Sequence, residues 1–337
     1  KSILRDLIRA TTHIASESYE ESVEPDHLLD RAETLIFDIA SKKLRRDAVA
    51  MKDIIKSSIE MIDALYQRKG VITGLPTGFI ELDQQLAGLQ PSDLIVVAGR
   101  PAMGKSSLTL CIAEQVALGH KVGVALFSLE MSKENVVQRM LCSHARINAH
   151  NVRTGMLSTS DWPNLTKAAG KLSEAPIYID DSPGTSILEL RAKARRLKSR
   201  HDIGLVIVDY LQLMEESSRA ENRQQEISII SRSLKALARE LNVPIIAVSQ
   251  LSRAPERRES FRPRLSDLRG SAGIEHAADV VLFVYSEEKE KKLEAEEEED
   301  TSVPKKYWLL GLKNRNGPTG FKPVVWRGDV MRFFDKE

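Results

Sequence analysis

Residues 99–107 read GRPAMGKSS, which sets Gly99, Gly104, Lys105 and Ser106 at the spacing G-x-x-x-x-G-K-[ST]. An apolar run, LIVVA at 94–98, stands before the loop, and a helical pattern over 104–118 follows it. In that strand–loop–helix setting, the backbone N–H groups of the loop and the helix N-terminus cradle phosphate oxygens. The expected nucleotide site is therefore Gly99, Arg100, Pro101, Ala102, Met103, Gly104, Lys105, Ser106 and Ser107. Lys105 is expected at the β- and γ-phosphates of ATP, and the Ser106 hydroxyl on Mg²⁺.

Binding a nucleotide is not yet hydrolysing it, and hydrolysis needs carboxylates near the phosphates. LVIVDYLQL ends an apolar run in Asp209, the expected second protein group on the Mg²⁺ shell. ALFSLEMS sets Glu130 just after another such run, where a carboxylate can act as general base on the attacking water. IIAVSQLSR ends a third run in Gln250, whose amide can sense the γ-phosphate and pass its presence to the next loop. KNRNGPTG poses a different problem. Lys313 and Arg315 stand two apart before a Gly317-Pro318 turn, so on a strand both side chains point to one face. No carboxylate of their own chain is expected to wait for them. Taken alone they read as a basic hairpin tip; if subunits form a ring, the pair is expected to meet a neighbour's γ-phosphate in trans, a cationic finger worth roughly 10³–10⁵ in turnover.

The elements that must hold these residues alternate. Strands are expected at 94–98, 122–128, 176–179, 205–209, 243–248 and 279–284. Helices are expected at 104–118, 132–147, 160–173, 186–200 and 224–241. Ser186 and Glu189 form a capping box, and Ile227, Ile230, Leu234, Leu237 and Leu241 form one apolar stripe. Continuous apolar strands separated by helices predict an α/β fold, a mostly parallel sheet covered on both faces. Runs at 307–313, 321–326 and 329–334, with only turns between them, predict an antiparallel extension of that sheet. Before the motor core, helices are expected at 2–16 and 26–40. A further helix carries Met51, Ile55, Ile59, Ile62 and Tyr66 on one narrow stripe, which needs a surface either on its own chain or on a neighbouring subunit. ILRDLIRA at the N-terminus already has helical spacing, as expected of a chain that begins inside a domain.

The 337 residues are 42% hydrophobic and 29% charged, with a formal net charge of +1, so the chain as a whole is no polycation. A nucleic-acid surface must come from local clusters or from assembly. Cys111 and Cys142 have no metal-ligand spacing, and a reduced, cytoplasmic setting is expected. No run approaches the ~18 apolar residues of a membrane span. The run EEKEKKLEAEEEEDTSVP at 287–304 reads as a solvated charged insertion.

The motifs AETLIFDIA, ITGLPTGFIELD, LIVVAGRPAMGKSS, FSLEMS, LVIVDYLQLM, VPIIAVSQLSR, DLRGSAGIEHAADVV and KNRNGPTG, in that order over residues 20–337, resemble the bacterial replicative DNA helicases, the DnaB family of hexameric RecA-fold motors. The resemblance implies a RecA-like P-loop ATPase core at 72–337, a linker with an amphipathic helix at 42–71, and part of a helical N-terminal collar at 1–41. It implies a homo-hexamer on single-stranded or forked DNA, with primase and a helicase loader as partners, and Arg139 as the residue stacking on adenine. Three polar segments are expected to line the DNA channel: 214–225 with Arg219 and Arg223, 252–264 with Arg253, and the loop with Arg269, Gly270 and Ser271. Aromatic residues are scarce there, so backbone contact rather than base stacking is expected. In the last loop the family's commoner pattern is RESGSIEQ, and here Gly270 replaces an acidic residue and Ala272 a glycine. Two other functions fit a phosphate loop with DNA-binding loops: an ATP-switched scaffold or loader, and a RecA-type recombinase. Glu130 with Asp209 argues against a hydrolysis-dead scaffold, and the linker helix favours a closed ring over an open filament.

Overall fold

The structure is a computed structural model describing residues 2–19, 28, 31–32, 35–36, 50–67, 72–214, 223–251, 262–268, 271–289, 300 and 302–336. The chain divides into two compact units, Lys1–Val71 and Ile72–Glu337. In the first, α1 (Ser2–Ser18) and α2 (Met51–Gln67) are helical. The expected helix at 26–40 lies largely outside the described residues, as does most of the charged insertion. The stripe residues Met51, Ile55, Ile59, Ile62 and Tyr66 of α2 are all exposed.

The second unit holds a sheet of strand order β3-β2-β4-β5-β1-β6-β7-β8-β9. The strands are β1 (Leu94–Gly99), β2 (Gly123–Ser128), β3 (Ile177–Asp180), β4 (Ile203–Asp209), β5 (Ile245–Gln250), β6 (Val280–Tyr285), β7 (Lys305–Asn314), β8 (Gly320–Arg327) and β9 (Arg332–Asp335). The first six pair in parallel, and the last three join antiparallel. The reason is visible in the alternation of side chains. Leu94, Val96 and Ala98 enter one core with Val206, Val208, Ile245 and Ala247, while Ile95 and Val97 enter the other with Leu205, Ile207 and Ile246. A strand apolar at every position is stable only between two layers.

The helices of this unit are α3 (Ile80–Leu86), α4 (Lys105–Glu114), α5 (Lys133–Ala145), α6 (Ala149–Thr154), α7 (Asp161–Ser173), α8 (Ile187–His201), α9 (Arg223–Leu241) and α10 (Ser271–Ala277). The stripe Ile227, Ile230, Leu234 and Leu237 of α9 packs in the core shared with α8. Burying one such side chain contributes about 1.5–3 kcal/mol. The Ser186–Glu189 capping box is half made. Ser186 Oγ accepts from Glu189 N–H at 3.2 Å, but the Glu189 carboxylate turns to Lys193 Nζ at 2.7 Å. An ammonium four residues on offers the carboxylate a charged donor in place of the backbone.

Sequence patterning missed α3, α6 and α10, each only one or two turns long. In α3, the buried Asp83 carboxylate accepts from Thr77 N–H, Thr77 Oγ1 and Gly78 N–H and so locks the turn before the helix. The single helix expected over 104–118 ends at Glu114 and passes into a π-helical turn, Gln115–Gly119.

Candidate active site

β1 is a central strand, and the loop leaving its carboxyl end is the phosphate loop. Gly104 sits there at φ +81, and a Cβ on it would lie 2.9 Å from Phe333 Cε2. Both facts demand glycine. Lys105 opens α4 and is buried, with Nζ donating to Arg100 O at 2.8 Å. Burial pushes its ammonium down to about 8, against the pull of the Asp209 and Glu130 charges.

The neighbouring strand ends bring the carboxylates. Ser128 of β2 is in register with Asp209 of β4, and Leu129 N–H donates to Asp209 O at 2.7 Å. Ser128 Oγ donates to Met131 O at 2.6 Å, and Ser132 Oγ accepts from Asn135 N–H at the start of α5. The short turn between β2 and α5 is thus fixed at both ends, and exposed Glu130 projects from it. Asp209 is buried. Its carboxyl is pushed up by that burial, held back by a Ser106 hydrogen bond, and pushed further by the Glu130 charge. Its Oδ1 has no hydrogen-bond partner among the described residues. Arg139 on α5 acts on the same carboxyl through its charge.

Gln250 ends β5 in register with Gly99. Its backbone is gripped by Gln212, whose Oε1 accepts from Gln250 N–H at 3.2 Å and whose Nε2 donates to Ser249 Oγ at 2.9 Å. Gln212 therefore stitches the Asp209 strand end to the Gln250 strand end. The signal for it in sequence was its place shortly after Asp209, but nothing there named its partner.

Lys313 lies in β7 and Arg315 just past its end, and both turn to the C-terminus of α10. Lys313 Nζ donates to Glu275 O, and Arg315 Nη2 donates to His276 O. Last-turn carbonyls lack intrahelical donors, and cations suit them. Burial and the adjacent Arg315 charge lower the Lys313 ammonium below its ordinary value. The expectation that no carboxylate of their own chain waits for them is wrong. Arg315 Nη1 lies 3.3 Å from Asp279 Oδ1. Asp279 is separated from the pair by more than thirty residues in sequence, and antiparallel pairing of β6 with β7 brings them together.

The pair is far from its own phosphate loop. Asp279 Oδ2 accepts from Leu94 N–H, at the first residue of β1, whereas the loop leaves the last. The intervening strand, at ~3.3 Å per residue, spans roughly 17 Å.

Of the expected DNA contacts, Arg219, Arg253, Arg269 and Gly270 lie outside the described residues, and Ser271 is described only as the first residue of α10. Arg223 opens α9 and folds back on its own chain. Its Nη2 donates to Gln212 O at 2.6 Å and Met214 O at 3.0 Å, and Nη1 pairs with Glu226.

A parallel sheet with a phosphate loop on a central strand and acidic groups on neighbouring strand ends defines a RecA-like phosphate-loop ATPase. Residues 74–335 match the family model described as DnaB-like helicase C terminal domain. The whole chain is 46% identical to the replicative DNA helicase DnaB of Geobacillus stearothermophilus and, equally, to the replicative DNA helicase DnaC of Bacillus subtilis (strain 168), covering 73% of each. Among solved structures it is similar to a DnaB-like replicative helicase described with its interactions with primase, with TM-score 0.83 and 30% identity over 99% of this chain and 76% of that one. It is also similar to a solved ATPase domain, with TM-score 0.78 and 33% identity over 86% of this chain and all of that one. The chain belongs to the DnaB-like replicative DNA helicases, which are ATP-dependent enzymes.

Proposed function

We propose that this helicase works as a homo-hexameric ring that hydrolyses ATP at sites shared between neighbouring subunits, moves along single-stranded DNA and excludes the complementary strand at a fork. The observation that carries the reading is the separation of parts. The phosphate loop leaves the carboxyl end of β1, and Lys313 and Arg315 are fixed near its amino end. Cations that far from their own loop can serve a γ-phosphate only on an adjoining subunit. Both keep N–H donors to spare after the bonds they make at home.

In this reading the amides of Gly99–Ser107 bind the phosphates, Lys105 neutralises the β- and γ-phosphates, and Arg139 lies against the adenine. Glu130 orients the attacking water and takes its proton. Gln250 reads the γ-phosphate, and Gln212 couples it to the Asp209 edge. Mg²⁺ fits the residues present: Asp209 has a buried oxygen without a partner, and the Ser106 hydroxyl bonds the same carboxylate. Ser106 and Asp209 would hold the ion, which supplies positive charge to the phosphate oxygens.

Residues 1–41 serve as part of the collar, 42–71 as the linker and 72–337 as the motor. The exposed stripe of α2 suits a neighbouring subunit. Arg219, Arg253, Arg269, Gly270 and Ser271 serve as DNA-phosphate contacts in this reading, while Arg223 is engaged by its own chain, and a ring concentrates charge that one chain at +1 lacks. The relative described with primase supports primase as a partner, and a helicase loader is added on the family resemblance alone. Its DNA substrate sets its work in the cytoplasm.

The test is strand displacement on a forked duplex, with DNA-stimulated ATP hydrolysis and particle images, using the intact-length protein. Rings that displace a strand are expected. Hydrolysis without displacement would return the protein to the scaffold class. Lys105→Ala should lower hydrolysis by roughly 10²–10³-fold, and wild-type turnover would refute the loop assignment.

A further inference from the structure

Asp279 lies between α10 and β6, with 4% of its surface exposed. A buried carboxylate is costly unless its oxygens are fully engaged. Oδ2 accepts from Leu94 N–H at 2.8 Å and from Lys235 Nζ at 2.5 Å, and Oδ1 accepts from Arg315 Nη1 at 3.3 Å. Its backbone carbonyl also accepts from Arg315 N–H, at 2.9 Å. Lys235 pairs with this carboxylate and also reaches Asp93 at 3.7 Å, so one ammonium faces two buried carboxylates and Arg315 supplies the second positive charge. Arg315 remains 45% exposed, while Asp279 and His276 O restrain its guanidinium from two sides.

We propose that Asp279 is a positioning residue: it fixes the Arg315 guanidinium, beside Lys313, in the orientation that meets a nucleotide bound by the adjoining subunit. The inference rests on the shared-site reading above. A free arginine on a hairpin samples many rotamers, and each turnover would have to select the productive one. An anchor at the far end of a rigid strand removes that cost. Asp279 itself touches no nucleotide, because its own phosphate loop lies at the opposite end of β1. Misplacing a reacting group by about 1 Å costs on the order of 10²-fold.

The experiment uses intact hexamers. Asp279→Asn keeps the shape and an acceptor for Leu94 N–H but removes the charge. Asp93→Asn is the control, because it alters the same Lys235 network and weakens the charge field around Arg315 while leaving the Asp279–Arg315 hydrogen bonds in place. Asp279→Asn should lower kcat by on the order of 10²-fold with KM for ATP within about twofold, the signature of an interaction made in the transition state. Asp93→Asn should leave kcat unchanged. Each is then co-assembled with Lys105→Ala subunits, which carry a dead loop and an intact finger. Asp279→Asn subunits should regain hydrolysis, since their sound loops now face sound fingers, and Arg315→Ala subunits should regain it likewise. If Arg315→Ala regains activity and Asp279→Asn does not, Asp279 acts within its own site and the proposal is overturned. If Arg315→Ala fails to regain activity, the shared-site reading has failed first. Wild-type kcat for Asp279→Asn alone also overturns the proposal. Should that variant not assemble, Asp279→Glu retains the charge but shifts it by one methylene. It should show the same loss of kcat and the same recovery in mixed rings.

Discussion

Lys105 is charged in a place that disfavours charge. Burial lowers its ammonium to about 8, and the carboxylates of Asp209 and Glu130 only partly oppose this. A bound triphosphate adds anionic oxygens and favours the charged form. The sign follows: below about 8 the ammonium is already protonated and ATP affinity is flat with pH. Above it, binding must take up a proton, and affinity falls by up to roughly tenfold per pH unit. Calorimetry near about pH 9 in buffers of different ionisation enthalpy should detect that uptake, and its absence would remove Lys105 from the phosphates. The charged groups of this site were legible in sequence because Asp209 closes a buried apolar strand and Glu130 and Lys105 each follow one within a few residues, where a carboxylate or lysine has few structural reasons to be. Gln212 and Asp279 were less legible. Each acts through a partner distant in sequence, Ser249 with Gln250 and Arg315 respectively, and only the strand order brings those partners into reach.

At the level of elements, the weight falls on α10, seven residues that precede β6. A Cβ on Gly273 would lie 2.0 Å from Ser228 Oγ and 2.6 Å from Ser228 Cα, so α10 rests directly on the backbone of α9. Its last carbonyls hold Lys313 and Arg315. Gly273→Ala should lift α10, destabilise the core by about 1–3 kcal/mol and lower kcat by loosening the finger pair. Ser228→Gly on top of it removes the colliding side chain and should recover part of both losses, read by melting temperature and steady-state hydrolysis. Additive losses in the double variant would show that α10 does not seat on Ser228. Here patterning in sequence was blind. Strands β1, β2, β4, β5 and β6 announce themselves because both faces are buried, and α9 because its stripe repeats over several turns. A seven-residue helix containing glycine has no periodicity to read, and tertiary packing rather than propensity makes it helical.

On the shared-site reading proposed above, the chain as a whole is a subunit that carries halves of two different active sites at opposite ends of its parallel strands. Its phosphate loop would then need a neighbour's cations, and its cations a neighbour's phosphate loop. Such an interface is head-to-tail, and a head-to-tail interface that closes makes a ring. This arrangement predicts a dose law for DNA-independent hydrolysis in mixed rings. A Lys105→Ala subunit silences the site at its own loop, and an Arg315→Ala subunit silences the site at its neighbour's. A subunit carrying both changes silences both. At low doping, with sites acting independently, the double variant should lower hydrolysis roughly twice as steeply per subunit as either single one. If Arg315 served its own loop, both changes would fall on one site and the three slopes would coincide. Coincident slopes would dismantle the shared site, even if every variant were separately inactive, because inactivity alone cannot distinguish a residue that serves its own subunit from one that serves the next.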